Sequence, residues 1–315
     1  MQYSVNDLAI IIPTKDRPEQ VRRHLQSLVD QVCELGRVII VASGQDIKDI
    51  VADFSGKLPV EYYRCGAGQI KQRNYGISLL DDRTRLVATM DDDITYEPGA
   101  IFNMISFWNQ HISDNIGGVG YNIINQSAHK YSFIWAIING KNYRYPGRVM
   151  KTGFATPLSN VNANIKTDWL NGGGTVWRQS VILSRSHKEI KSRWAVYEDV
   201  IYSYPLGKKY DLYVCKDAKI ELEFLDSNKN KYKSLYFTSK SIAIWRLYFV
   251  LLNSELSVFR YILDLLFEIN LNIIKAVVRF DVSYLIISFA FAVGLVKVLP
   301  VKNSIDKLTV LIEGI

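Results

Sequence analysis

Apolar residues fall into two kinds of run along this chain. Leu8-Ala9-Ile10-Ile11-Ile12 is an unbroken run of strand length closed by Pro13, and Arg37-Val38-Ile39-Ile40-Val41-Ala42 is a second. Such runs suit strands covered on both faces of a parallel sheet. Between them Val21, Leu25, Leu28 and Val32 recur at helical spacing, behind Pro18 in the first-turn position where proline is tolerated. A helical piece around Ile47 to Phe54, a short strand Val60-Glu61-Tyr62-Tyr63-Arg64, a turn at Gly66-Ala67-Gly68 and a helix from about Gln69 to Leu80 come next. Then Leu86-Val87-Ala88-Thr89-Met90 runs into Asp91-Asp92-Asp93. Alternating strands and helices predict a doubly wound α/β sheet, in which ligands bind beyond the carboxyl ends of the strands. Thr14 to Arg17, Ser43 to Asp46 and Asp91 to Asp93 all fall at such ends.

Farther on, the pattern predicts a helix over Ile101 to Trp108, a strand over Gly117 to Ile124, and an irregular stretch from 126 to 167 rich in Tyr, Asn and Gly. Helical surroundings are expected around Val181-Ile182-Leu183 and Ile201, and a strand at Asp211-Leu212-Tyr213-Val214. After Asp226 the composition shifts. Asn228 to Lys233 is basic and polar and reads as a linker, and Ser241 to Val278 is long, apolar and helical in period, with Phe259, Ile262, Leu263, Leu266 and Phe267 among its apolar positions. The expected division is residues 1–226 and 227–315. Val282 through Val296 carries no charge. That is shorter than the roughly 20 residues that span a hydrocarbon core, so an in-plane or re-entrant segment is expected.

The chain of 315 residues is 48% hydrophobic and 22% charged, which provides a real core and excludes a disordered chain. Net charge is +7, suiting nucleic acid, anionic lipid or a phosphorylated substrate without choosing among them. From Asp226 onward 11 Lys/Arg stand against 7 Asp/Glu, a surplus of four that favours a membrane surface and leaves no need for nucleic acid. Cys33, Cys65 and Cys215 form no CxxC pair, which argues against a disulfide framework or a zinc site and for a reducing compartment. The opening residues lack the basic-then-apolar pattern of a secretion signal.

Three adjacent acids repel one another, and a divalent cation carrying a diphosphate would balance them, since hard cations take oxygen ligands. Arg73, on the helix after Gly68, carries a planar fork suited to a diphosphate. Gly66-Ala67-Gly68 lacks the third glycine of a dinucleotide fingerprint. Asn171-Gly172-Gly173-Gly174 lets backbone approach a ligand closely, and Trp169 is a candidate stacking platform for a sugar or equally a core residue. Glu198-Asp199 is a second acidic cluster, able to supply a general base.

Ala9 to Arg17, followed by the Leu25/Leu28 helix, resembles the opening of the family 2 glycosyltransferases, enzymes of the GT-A fold. Gly68 through Arg73-Asn74-x-Gly76 is similar to that family's next block, Met90-Asp91-Asp92-Asp93 with Pro98-Gly99 to its Asp-x-Asp block, and Glu198-Asp199 with Leu206-Gly207-Lys208-Lys209-Tyr210 to its Glu-Asp block. The blocks occur in the family's order and cover roughly residues 8 to 225. Two departures stand out. Ala42-Ser43-Gly44 replaces the acid often found after the second strand, with Asp46 arriving later, and no histidine lies near Lys219-Ile220-Glu221-Leu222.

The resemblance implies a GT-A catalytic domain, Rossmann-like with a doubly wound mixed sheet, followed by a helical region. It implies Asp91 and Asp93 as ligands of Mg²⁺ or Mn²⁺. The implied donor contacts are Pro13, Thr14, Asp16, Arg17, Ser43, Gln69, Arg73, Asp92 and Arg246, with Thr14 and Asp16 near the base and Arg73 near the phosphates. Trp169, Asn171, Gly172 and Gly173 would line the acceptor and sugar pocket. Asp199 would be the base, with Glu198 supporting the pocket. The expected activity is inverting, metal-dependent transfer from a UDP-, dTDP- or GDP-sugar to a hydroxyl of a lipid-linked or growing surface glycan. The expected place is the cytoplasmic face of a membrane, peripheral or monotopic. The rivals are transfer to a polyprenyl phosphate, a nucleotidyltransferase and a non-catalytic membrane scaffold; the second lacks its glycine-rich loop after the first strand.

Overall fold

The computed structural model describes residues 2–31, 34–112, 115–191, 196–223 and 231–314. Among these residues the strands are β1 (Leu8–Lys15), β2 (Arg37–Ser43), β3 (Val60–Arg64), β4 (Leu86–Thr89), β5 (Ile94–Tyr96), β6 (Ile116–Ile123), β7 (Ile165–Thr167), β8 (Thr175–Arg178) and β9 (Asp211–Leu222). The α-helices are α1 (Pro18–Val29), α2 (Lys48–Ala52), α3 (Gln69–Ser78), α4 (Ala100–Gln110), α5 (Phe133–Asn139), α6 (Gln179–Leu183), α7 (Glu198–Gly207), α8 (Lys231–Leu251), α9 (Val258–Arg279), α10 (Val282–Val298) and α11 (Ile305–Glu313). Val32, Cys33 and most of the linker expected over Asn228 to Lys233 lie outside the described residues; its last residues, Lys231 to Lys233, open α8.

One mixed sheet runs in the order β3-β2-β1-β4-β8-β6-β9-β5, with β7 also on β9. β1 to β4 are parallel, as the continuous apolar runs predict, while β8 is antiparallel to β4 and β6. The Leu8 to Ile12 run is fully buried, and each such aliphatic side chain contributes about 1.5–3 kcal/mol by leaving water. Pro13 does not end β1, which continues to Lys15 opposite Ser43. The reason lies in the neighbour. β4 stops at Thr89 opposite Ile11, and Pro13 shares the side to which the Ile11 carbonyl accepts the Met90 N–H at 3.0 Å. The absent proline N–H therefore leaves no ladder bond unmade.

The chain divides into two compact units. The first comprises residues 1–129, 157–189 and 202–224 and holds the sheet. The second comprises 130–156, 190–201 and 225–315, so the expected break at 226 gives way to an interleaved arrangement. The stretch expected to be irregular contains α5, a short 3-10 turn over Lys141–Arg144, and β7. In the second unit Trp135 stacks on Tyr143 and Phe154 and meets Phe267 edge-on at 5.2 Å. Those contacts fix 130–156 to α9. The long helical tract breaks after Leu251 and resumes at Val258, where Ser257 caps α9 by accepting the Arg260 N–H.

In the first unit His187 is buried and stacks on Tyr202 at 3.5 Å, while its backbone exchanges hydrogen bonds with the Asn74 amide. Burial, and then the Arg73 and Arg185 charges, push the His187 imidazole down to about 2. The folded state therefore resists a proton that the unfolded chain accepts near its ordinary value of 6.5. Stability from this residue is complete above that value and declines as pH falls below it, by about 1.4 kcal/mol per pH unit. Urea midpoints at pH 6 and 4 are expected to draw closer together in His187→Gln than in the unsubstituted chain; equal spacing would remove the assignment.

Candidate active site

The carboxyl ends of β1, β2 and β4 lie side by side, and the sequence-predicted donor residues gather there. Gly76 lets α3 lie on β1, because a Cβ there would run into the Ile11 side chain. That close approach carries Gln69, Gln72 and Arg73 to the strand ends. Gln72 is 2% exposed and donates through Nε2 to the carbonyls of Thr14 (2.6 Å) and Val41 (2.7 Å), tying the β1 and β2 ends together. Ser43 Oγ donates to Oε1 of the same Gln72 side chain at 3.4 Å. The sequence reading named Gln69 and Arg73 but passed over Gln72, whose signal was its spacing of three and one from those two on one helix.

Each acid of the triplet has its own partners. Asp91 accepts Gln69 Nε2 at 2.8 Å and meets Arg73 Nη2 at 3.4 Å. Asp92 accepts Thr14 Oγ1 at 2.6 Å and Arg17 Nη1 at 3.0 Å, and Asp93 shares Arg17 Nη1 at 3.1 Å. Burial raises the Asp92 carboxyl despite Thr14 and Arg17. Burial, then the charges of Asp91 and Asp92, push Asp93 up to about 6. Burial works against the Arg17 charge, but Asp92 and Asp93 outweigh it and hold the guanidinium above its usual value. Two arginines facing three carboxylates leave an excess of negative charge and a set of hard oxygen donors. That chemistry fits Mg²⁺ or Mn²⁺ held by one or two carboxylates with a ligand's phosphates completing the shell. Among the described residues no group of three or more His, Cys, Asp or Glu is arranged as a complete metal site.

The glycine loop closes on the same acids. A Cβ at Gly173 would strike the Asp91 carboxylate, and the Gly174 N–H donates to the Thr89 carbonyl at 2.8 Å. Asn171 and Gly172 are half-buried in this loop, and the Asn171 carbonyl accepts Thr175 Oγ1 at 2.7 Å. Asp16 sits at φ 55° and accepts the Gln45 N–H at 2.8 Å, so it orders the turn after β2. Asp46 accepts Tyr62 Oη at 2.7 Å and faces Arg64 at 3.4 Å.

Trp169 takes one of its two expected places, and two expected donor contacts change. Trp169 is only 8% exposed, so it is a core residue and not an open platform for a sugar ring. Arg73 is wholly buried behind Asp91, where it braces that carboxylate. Arg246, expected at the donor phosphates, is buried in the second unit with Nη1 3.1 Å from both Asp264 and Glu268. Two carboxylates already hold its charge. Glu198 and Asp199 open α7, behind Tyr197 at φ 69°, and the Asp199 carboxylate accepts the Val200 N–H at 2.8 Å.

A mixed sheet whose parallel strands end in an acid triplet, with a basic and amide-bearing helix beside it, is the GT-A architecture. The model of glycosyl transferase family 2 matches residues 9–163, and over that stretch the chain is a family 2 glycosyltransferase. No curated sequence matches the chain. Among solved structures, S. aureus TarS is 14% identical, with 79% of this chain and 42% of that one covered at a TM-score of 0.47. This chain thus spans less than half the length of that structure. TarS 1–349 is 14% identical, with 100% of this chain and 90% of that one covered at a TM-score of 0.48. TarS 1–349 in complex with UDP-GlcNAc is 16% identical, with 100% and 91% covered at the same TM-score of 0.48.

Proposed function

We propose that this enzyme transfers a sugar with inversion from a nucleoside diphosphate to a hydroxyl of a lipid-linked or growing glycan. The supporting observation is the convergence of Thr14, Arg17, Gln69 and Arg73 on Asp91, Asp92 and Asp93 beyond the ends of β1 and β4. Asp16 contacts the nucleoside end of the donor, while Thr14 and Ser43, buried on Asp92 and Gln72, support the strand ends beneath it. Asp91 and Asp93 would hold Mg²⁺ or Mn²⁺, which when bound would supply charge neutralisation at the diphosphate. Gln69 and Arg73 fix the Asp91 carboxylate, and Arg17 fixes Asp92 and Asp93, so the acids need little rearrangement when the donor arrives. Asp199 takes the acceptor hydroxyl's proton. The acceptor oxygen forms its bond to the anomeric carbon from the face opposite the diphosphate, the carbon–oxygen bond to the diphosphate breaks, and the electron pair leaves with it. A single displacement needs one base and no covalent intermediate.

Calorimetry with UDP, GDP, dTDP and CMP, each with and without Mn²⁺, tests the donor site. One diphosphate is expected to bind in a Mn²⁺-dependent way, and Asp91→Asn is expected to weaken that binding by at least about tenfold, the loss of one charged contact worth about 1.4 kcal/mol. Binding that ignores both Mn²⁺ and Asp91→Asn would overturn the metal assignment.

A further inference from the structure

In the second unit, α9 carries apolar side chains on both its inward and its outward face. Its inward positions, Tyr261, Asp264, Leu265 and Glu268, include both of its acids. Its exposed positions recur at helical spacing through Phe259, Leu263, Leu266, Ile274 and Val277. α10 packs on α8 and α9, with Ser288 Oγ donating to the Ile269 carbonyl at 2.9 Å, and shows a second exposed stripe at Val282, Leu285, Phe289 and Val296. At the turn between them Phe280 is 96% exposed and held at φ 50°. A phenylalanine in the left-handed region is strained, and its exposure to water adds a further cost. Beside α9, α5 adds Phe133 and Ile137, each about 70% exposed.

The charges around this face are mostly positive. Apart from the buried Asp264 and Glu268, residues 258–302 hold five cations, Arg260, Lys275, Arg279, Lys297 and Lys302, against one acid, Asp281. That acid caps α10 by accepting the Ser283 N–H at 2.8 Å. Near the turn, Lys275 and Arg279 lie over the Tyr284 ring at 5.9 and 5.6 Å, and Arg279 Nη1 donates to Tyr284 Oη at 2.7 Å. Apolar side chains rimmed by cations and an aromatic ring match the layered chemistry of a bilayer surface. A second copy docking by the same face would bring like charges together.

We propose that the exposed faces of α9 and α10, led by Phe280, dock in the plane of an anionic membrane, with the cations at the headgroups and the apolar stripes among the upper acyl chains. Val282–Val301 is long and apolar enough to cross a bilayer, with a mean hydropathy of 2.2, but 39% of its most apolar window is buried inside the protein. Gly294 lies so close to Ala243 of α8 that a Cβ there would clash. Crossing as packed would draw α8 and α9, with Arg246, Asp264 and Glu268, into hydrocarbon, so the helices lie on the membrane rather than through it. This surface deepens the reading of a lipid-linked acceptor but rests on the second unit alone. Its test uses neither donor nor acceptor, so the two readings fail separately.

The full chain is sedimented with phosphatidylcholine vesicles with and without about one-third phosphatidylglycerol. Binding is expected to the anionic vesicles and to weaken in high salt. Phe280→Asn is expected to weaken it at least tenfold, by removing one buried aromatic ring. Asparagine tolerates the left-handed turn, so the thermal midpoint should hold or rise, which separates lost docking from lost folding. Arg279→Gln is expected to weaken binding to anionic vesicles alone. Absence of vesicle binding, or unchanged binding in Phe280→Asn, would overturn the proposal. So would a dimer in solution that Phe280→Asn dissociates without any vesicle binding, since that assigns the face to a second copy.

Discussion

Asp199→Asn is expected to lower the rate of transfer by about 10²–10⁴-fold, the usual contribution of a general base, while nucleotide binding stays within about twofold of the unsubstituted enzyme. The substitution is nearly isosteric. An amide oxygen can still accept the Val200 N–H that the carboxylate accepts at 2.8 Å, so the first turn of α7 is kept. What the amide cannot do is take a proton from an acceptor hydroxyl. The acids proposed to bind the donor belong to the first unit and Asp199, the proposed base, to the second, so on this proposal nucleotide affinity and turnover report on separate groups. The measurement is release of nucleoside diphosphate in single turnover, beside calorimetric binding of the same nucleotide. Full turnover in Asp199→Asn would remove the base assignment. It would also favour an acceptor that is already an anion, such as a polyprenyl phosphate, for which no proton need be removed.

Continuous apolar runs identified the central parallel strands because their side chains are covered on both faces, a local property that survives in the sequence. The triplet Asp91-Asp92-Asp93 was legible for the same reason: strand order brings the ends of β1, β2 and β4 together whatever the loops do. Pro13 misled because its effect depends on where the neighbouring strand stops. The stretch from 126 to 167 read as irregular because α5 takes its partner, Phe267, from a helix more than a hundred residues later. The apolar positions of α9 were visible as a helical period, but the outward stripe of Phe259, Leu263 and Leu266 was not. It follows from Arg246, which draws Asp264 and Glu268 inward. Those acids stand 18 and 22 positions away on another helix, beyond the reach of any local pattern, and the same distance concealed why Arg246 faces no phosphate.

Arg246→Met is expected to destabilise the second unit by about 3–5 kcal/mol, because it strands two buried carboxylates without their cation. The arginine is 1% exposed, with Nη1 3.1 Å from Asp264 and from Glu268. Asn139 Nδ2 donates to Asp264 at 2.9 Å, and Thr152 Oγ1 donates to Asn139 at 2.6 Å, so the cluster also anchors the 130–156 segment. Burial raises both carboxyls, against the pull of Arg246. One cation facing two acids leaves an extra negative charge whenever both are ionised. A raised folded value means this contribution is complete at low pH and is lost as pH climbs through it. Glu268→Gln is therefore expected to stabilise the unit at pH 8, with the gain shrinking on acidification. Combined with Arg246→Met and Asp264→Asn, it should recover most of the loss from Arg246→Met alone, since no buried charge then remains. Urea denaturation of the four proteins at pH 5 and 8 reads all three effects. A loss below about 1 kcal/mol in Arg246→Met would mean that water reaches the two carboxylates. Tyr197 packs on Phe249 within the field of the same arginine and leads directly into Glu198 and Asp199. The cluster that orients α9 thus also holds the approach to Asp199, the proposed base, so on that proposal Arg246→Met should slow transfer even at temperatures where the protein stays folded.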